Sequence, residues 1–251
     1  MKITATIQAR MGSGRLPGKV LKKIAGKTIL EWLISRLKKS TLIDEIVVAT
    51  TFSKNDLMIK EISNNMNIQC WRGSESDVLE RVHDAFNSTN AHIHVEFYGD
   101  SPFIDYKIVD RYLNYFKENF NEIDYLTNSI KTSYPPGSEF SIYKAECIKY
   151  AQKYTSKSDS LREHVGQNII NKKKYKIKNI EAEGIYNQPN LYIEIDTIED
   201  FKMLNKLIPK VILEYGEDFS LKDIILVSMK EKKLCELNSN VKRRWREYRD
   251  D

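Results

Sequence analysis

Gln8-Ala-Arg-Met-Gly-Ser-Gly-Arg-Leu-Pro-Gly-Lys-Val-Leu-Lys-Lys-Ile-Ala-Gly26 follows a short β-prone run at residues 2–7, and its reading decides the fold. Arg10, Arg15 and Lys19 arrive at the end of the first strand together with Gly12, Gly14 and Gly18, whose backbone amides stay open to an approaching anion. Open α/β sheets bind their ligands at the carboxyl ends of strands, so this is a place to hold phosphates. The P-loop pattern does not apply. It would need glycine where Ser13 stands and a hydroxyl where Val20 stands, and Pro17 lacks the N–H such a loop donates. The competing reading is a solvated Gly/Arg turn between two elements. Three cations and three glycines directly after a strand favour the anion site.

Working outward, Thr28-Ile-Leu-Glu31 has the form of a capping box, and Ile29, Leu30, Leu33, Ile34 and Leu37 recur at helical spacing. Residues 45–50 are apolar and β-branched and predict a buried strand, with a helix over 55–65 and a strand at 68–71. Ser74 and Ser76 offer N-caps for a helix over 77–87. A strand at 92–98 ends in Gly99-Asp-Ser-Pro102, and a helical pattern covers 106–119. This alternation implies a mostly parallel sheet with helices on both faces. The second half is less regular: strands are expected at 124–128, 139–143 and 175–181, and helices at 144–153 and 160–171. Leu191, Ile193 and Ile195 alternate with Tyr192, Glu194 and Asp196, which predicts a half-buried strand ending at Asp196. Thr197 then caps a helix to about residue 208, and Ser220 with Asp223 opens another.

With 251 residues, 41% hydrophobic and 30% charged, the chain has the composition of a globular enzyme rather than a disordered or membrane protein. No apolar run approaches a membrane span and no leader pattern opens the chain, so a cytoplasmic location is the expectation. Cys70, Cys147 and Cys235 lack metal-ligand spacing and read as buried hydrophobes. The formal charge of +5 is modest. Part of it lies in Val241-Lys-Arg-Arg-Trp-Arg-Glu-Tyr-Arg249, where interleaved aromatics and arginines are the one feature pointing to a polynucleotide. With no basic stripe elsewhere, a solvated or subunit-packing C-terminal helix is favoured over a nucleic-acid-binding module.

Two acids stand out by position. Asp100, after a strand and Gly99, projects toward the same crevice as the loop, and Asp196 ends a later strand. Each alone is more often a cap or turn residue. Paired beside a cationic loop they suit Mg²⁺, which binds through one or two carboxylates plus phosphate oxygens and water.

Seven blocks together resemble a known family. They are Ile7-Gln-Ala-Arg-Met-Gly-Ser-Gly-Arg-Leu-Pro-Gly-Lys-Val-Leu21, Ile24-Ala-Gly-Lys27, Asp44-Glu-Ile-Val-Val-Ala-Thr50, Arg72-Gly-Ser-Glu-Ser-Asp-Val-Leu-Glu-Arg81, Gly99-Asp-Ser-Pro-Phe-Ile-Asp105, Arg162-Glu-His164 and Asp196-Thr-Ile-Glu-Asp200. The resemblance runs from about residue 1 to 206 and is to the cytidylyltransferases that make CMP-Kdo and CMP-sialic acid, nearest the SpsF-like branch of spore-coat polysaccharide biosynthesis. It implies a three-layer α/β/α nucleotide-diphospho-sugar-transferase (Rossmann-like) fold around a mostly parallel mixed sheet. A single domain is expected, with a nucleotide-binding half over 1–123, an acceptor and dimerisation half over 124–210 and a helical tail over 211–251.

The implied reaction joins CTP to a sugar acid or related small acceptor with release of pyrophosphate, for surface polysaccharide biosynthesis, in a homodimer with Mg²⁺ as cofactor. By the same analogy Arg10, Ser13, Arg15 and Lys19 hold the triphosphate, and Gln8, Ala9, Gly12 and Asp100 also line the nucleotide. Arg72, Gly73, Ser74, Asp77 and Arg81 line the base and ribose, and Asp100 with Asp196 binds the metal. Arg10, Arg15, Lys19 and Asp100 carry the chemistry, and Glu139, Arg162 and His164 fall on the acceptor side. Gly99-Asp-Ser-Pro102 departs from the Gly-Asp-Glu-Pro of Kdo enzymes, which argues against Kdo itself and leaves phosphorylated or phosphonate acceptors open; an alternative with the same chemistry uses GTP in place of CTP. A glycosyltransferase would want an Asp-x-Asp motif that this block lacks.

Overall fold

The computed structural model describes residues 1–243 and 245. Residues 244 and 246–251, which belong to the expected C-terminal helix, lie outside the described residues.

Strand β1 (Ile3–Gln8) is central. A hairpin of β2 (Lys23–Ile24) and β3 (Lys27–Thr28) leads to helix α1 (Ile29–Leu37), followed by β4 (Glu45–Thr51), α2 (Leu57–Asn65), β5 (Gln69–Gly73), α3 (Val78–Asn87), β6 (Ile93–Tyr98) and α4 (Tyr106–Glu118). Then come β7 (Tyr125–Thr127), β8 (Ser141–Lys144), α5 (Ala145–Tyr154), α6 (Val165–Ile170), β9 (Ile177–Asn179), α7 (Ile198–Tyr215), α8 (Leu221–Lys230) and α9 (Lys232–Cys235).

The seven-stranded sheet has the order β5-β4-β1-β6-β8-β7-β9, and only β8 runs against the rest. Its pattern of buried apolar residues packs helices on both faces, with α1, α4, α7 and α8 on one side and α3, α5 and α6 on the other. The expected α/β class and mostly parallel mixed sheet are therefore what the chain forms. After β1 the chain moves toward β4 and β5, and β6 returns to the opposite side of β1. The carboxyl ends of β1 and β6 thus flank a topological switch point, where a crevice opens above the sheet.

The capping boxes at Thr28 with Glu31, Thr197 with Asp200 and Ser220 with Asp223 all form, because their hydrogen bonds close within one helical turn. Asp77 rather than Ser74 or Ser76 caps α3, accepting from Glu80 N–H at 2.9 Å. Three elements differ from expectation, one of them the helix after Thr197, which runs through Pro209 to Tyr215 rather than ending near residue 208. Residues 191–196 form no strand and bend at Glu194: Ile193 and Glu194 N–H donate to Pro136 O at 2.7 and 3.0 Å, and Ile195 N–H donates to Asp100 O at 2.9 Å. Tyr192 and Glu194 are buried along with Ile193 and Ile195, so the run is enclosed on both sides rather than half-buried. The helix expected over 160–171 is broken at His164 (φ −124°, ψ 85°), separating a 3₁₀ turn, Ser160–Glu163, from α6. All three cysteines are free, Cys147 buried and Cys70 and Cys235 partly so. Among the described residues no helix is long and apolar enough to cross a membrane.

Candidate active site

The loop after β1 is shaped by its own backbone and by one buried acid. Ser13 and Gly18 N–H both donate to Met11 O, at 2.9 and 3.0 Å, and Met11 N–H donates to Asp56 Oδ1 at 2.8 Å. Gly18 takes φ 67°, a left-handed conformation that glycine adopts without penalty, and so starts the 3₁₀ turn Lys19–Leu21 that aims Lys19 into the crevice. Asp56 is almost fully buried and also accepts from Thr51 N–H and its hydroxyl. No local signal marks this anchor, because its partner Met11 stands 45 residues away.

Gly99 brings the other wall into place. Its N–H donates to Gln8 O at 2.8 Å, and a Cβ at this position would sit 2.7 Å from the same oxygen. The close approach of β6 to β1 therefore requires glycine here, and it sets Asp100 beside the loop. The Asp100 carbonyl holds Ile195, so Asp196 follows into the same space. Asp200 then accepts from Asp196 N–H at 3.0 Å and Thr197 N–H at 2.8 Å, which fixes the start of α7 under the site.

These constraints converge on Lys19. Its ammonium donates to Asp100 Oδ2 and to Asp196 Oδ1, each at 2.8 Å, and Arg15 forms a second ion pair with Asp196. Burial works against the Lys19 charge, but the two carboxylates outweigh it and raise its pKa. Arg81 is pushed the other way, down to about 10, first by burial and then by the nearby charge of Arg10. Arg81 Nη1 and Arg10 Nη1 both point at Glu75 O, at 3.4 and 3.5 Å. Two guanidinium groups gathered against mutual repulsion form a site an anion would relieve.

A cavity of about 290 Å³ collects Gln8, Ala9, Arg10, Gly12, Ser13, Arg15, Lys19, Arg81, Asp100 and Asp196, that is, the expected triphosphate and metal residues together with Arg81. It is continuous with a second, of about 400 Å³, through Gln8, Arg15, Tyr98, Asp100, His164 and Asp196. Glu139 lines the second, and its Oε2 accepts from Gly137 N–H at 2.6 Å. His164 lines both because the break at that residue turns it inward.

Other expected residues stand apart from these cavities. Arg72 donates to Thr51 O and Ser53 O, both at 2.9 Å, and Gly73 packs against the Arg81 stem. Ser74 supplies a carbonyl to Arg81. Asp77 and the buried Arg162 form an ion pair at 2.8 Å, and Arg162 also donates to Gln152 Oε1 at 2.5 Å. Sequence reasoning did not single out Tyr98, Glu163 or Glu194, each of which lines the second cavity. The sequence places Glu194 only on the polar face of a strand. Burial and the charge of Glu139 raise its pKa. Among the described residues no three metal-ligating side chains converge, and the crevice offers a carboxylate pair.

The switch-point crevice, with its loop of cations facing two aspartates, defines the class as a nucleotide-handling α/β transferase. A family model described as Cytidylyltransferase matches residues 4–233, and the chain belongs to that family of nucleotidyltransferases. It is 34% identical over 257 residues to an uncharacterized protein of Methanocaldococcus jannaschii, covering 100% of this chain and 99% of that one. To the spore coat polysaccharide biosynthesis protein SpsF of Bacillus subtilis it is 28% identical, over 81% of this chain and 85% of that one. A solved cytidylyltransferase from Leptospira borgpetersenii superposes with TM-score 0.86 at 31% identity, covering 97% of this chain and 99% of that one. A CMP:2-keto-3-deoxy-manno-octonic acid synthetase complexed with CTP shares the fold, with TM-score 0.64 at 17% identity over 84% and 99%.

Proposed function

We propose that this enzyme transfers CMP from CTP to a hydroxyl of a sugar acid or related small acceptor, releasing pyrophosphate, in the cytoplasm and as a homodimer, for surface glycan synthesis. The observation that carries this reading is the convergence of Asp100 and Asp196 on one ammonium at the mouth of a cavity walled by the Arg10 to Lys19 loop.

Nucleotidyl transfer needs the attacking oxygen in line with the α-phosphorus and the charge of the leaving pyrophosphate offset, so positioning and electrostatics supply most of the catalysis. Arg10, Arg15, Lys19 and Arg81 are the groups that offset that charge, in a crevice where partial burial makes each of them count for more than in water. The second cavity opens at Asp100 and Asp196 and is the place for the acceptor. Two carboxylates already aimed at a common cation suit Mg²⁺, so Asp100 and Asp196 are the residues that would hold it. When bound, the ion would supply Lewis-acid neutralisation of the phosphate oxygens.

The test is incubation with CTP, Mg²⁺ and a panel of sugar acids, phosphorylated compounds and phosphonates, read by mass spectrometry for CMP adducts and by pyrophosphate release. A nucleotide panel in a thermal-shift assay separates CTP from GTP, since a bound ligand raises Tm by mass action. Absence of both CTP binding and any adduct would overturn the reading. Size-exclusion chromatography with light scattering checks the dimer.

A further inference from the structure

We propose that residues 238–243 and Trp245 form the acceptor-side wall of the active site and that Trp245 is a specificity-determining residue for an acceptor with a pyranose ring. This rests on the cytidylyl-transfer reading above.

The segment is latched to the same acid that positions the catalytic crevice. Asp200 is fully buried. One of its oxygens holds Asp196 N–H and Thr197 N–H, while the other accepts from Arg243 Nη2 at 2.8 Å and from Asn238 Nδ2 at 2.9 Å. Arg243 is itself only 3% exposed. It also donates to Asn238 O at 3.1 Å, lies 3.3 Å from Glu194 Oε1, and stacks its guanidinium 4.1 Å from the centre of the Tyr192 ring. A second tie comes from the phosphate loop, where Arg15 Nη1 donates to Lys242 O at 3.2 Å. An arginine so enclosed is not offered to a polynucleotide.

This latch delivers Trp245 to the second cavity. Its indole Nε1 donates to Glu194 Oε1 at 2.9 Å, and the side chain lines the space together with Tyr98, Glu139, Glu163 and Glu194. An aromatic surface beside carboxyl and hydroxyl groups matches a pyranose, whose C–H face packs on a ring while its hydroxyls reach hydrogen-bonding partners. Fixing the indole through its N–H leaves little side-chain entropy to lose on binding.

The test compares the full-length chain with W245A and W245F in Mg²⁺. Thermal shift with CTP reports the nucleotide side, and pyrophosphate release with Kdo, N-acetylneuraminate, N-acetylglucosamine and a non-sugar hydroxy acid reports the acceptor side. The expected result is a CTP-induced shift like the wild type's in both variants, with KM for the accepted sugar raised about tenfold or more in W245A and less in W245F. The ratio of kcat/KM between sugars should change in both variants. Addition of the sugar to the CTP-loaded wild type should change tryptophan emission, and the change should be lost in W245F, which keeps Trp32 and Trp71.

A KM within about twofold of wild type overturns the proposal, as does parallel loss of CTP binding, which would make the tail a structural brace. A wild type that binds CTP but cytidylylates only the non-sugar, or nothing, also overturns it while leaving the nucleotide reading intact. A wild type that binds no CTP removes the underlying reading and this proposal with it.

Discussion

Lys19 and Asp196 are joined at 2.8 Å across 177 residues of chain, and the same ammonium reaches Asp100 at an equal distance. The glycine-rich loop after β1, the end of β6 and the turn before α7 are thereby closed into one site. Replacing Lys19 by Met removes the cation between two carboxylates and one of the charges proposed to face the nucleotide. The expected outcome is a fall in kcat/KM of about 10²-fold or more, with a smaller CTP-induced thermal shift. Steady-state pyrophosphate release and thermal melts measure both, and unchanged values would remove Lys19 from the site.

Asp100 is the acid closer to solvent, with 29% of its side chain exposed, and it carries little of the core. Asp100→Ala is therefore expected to lower turnover about 10³-fold while Tm stays near that of the wild type. A mutant that turns over at the normal rate would contradict the metal assignment.

Asp200 is a case where stability and site share one group. Burial alone would raise its pKa, but Arg243 and Asn238 outweigh that effect and hold it below the usual 3.8. A depressed folded-state value means that the stabilisation is present above the unfolded pKa and is lost as pH falls through the folded one. Asp200→Asn removes the closer of the two carboxylates paired with the buried Arg243, leaving Glu194 at 3.3 Å, a change expected to cost up to about 3–5 kcal/mol. Urea melts at pH 7 and pH 3 should show a large gap between the two proteins at the higher pH and a narrower one at the lower.

Glu96 titrates in the opposite sense. It is enclosed under the site, where it accepts from Gln8 Nε2 and from Tyr143 OH at 2.8 Å, and burial pushes its pKa from 4.5 up to about 7. Because the folded value lies above the unfolded one, its contribution is complete below pH 4.5 and declines as pH rises through 7. The expected loss between pH 5 and pH 8 is on the order of 3 kcal/mol. Glu96→Gln should flatten that slope in denaturant melts across the range. A slope that persists in the variant would assign the titration elsewhere.

Gly137 takes φ 103°, and an added Cβ would meet Glu194 N at 2.3 Å and Ile193 C at 2.5 Å. Gly137→Ala has to move the segment that carries Glu194. A loss of about 2–3 kcal/mol is expected, accompanied by a raised acceptor KM. Stability equal to wild type would show that the two segments separate freely.

How legible each part was depended on how far away its partner lay. Thr28, Thr197 and Ser220 cap helices as read, since each bond spans three residues. The run 191–196 alternates apolar and polar residues, but its partners Pro136 and Asp100 belong to distant loops, and without a neighbouring strand it is enclosed instead of laddered. The Arg/Trp run at the end of the chain drew notice by composition alone. Only its contacts with Asp200, Glu194 and Arg15 place its described part in the crevice.

The amino-acid order alone determined the alternation of strands and helices, the loop of cations and glycines after the first strand, and the acids worth watching, because hydrophobic period, capping and turn chemistry are local. Tertiary structure alone decided that Lys19 stands between Asp100 and Asp196, that Arg162 turns away to Asp77, and that Asp56 and Asp200 brace the site from below. Those relationships are set by strand order at the switch point and by which buried charges can meet a partner, and neither is written in any short stretch of chain.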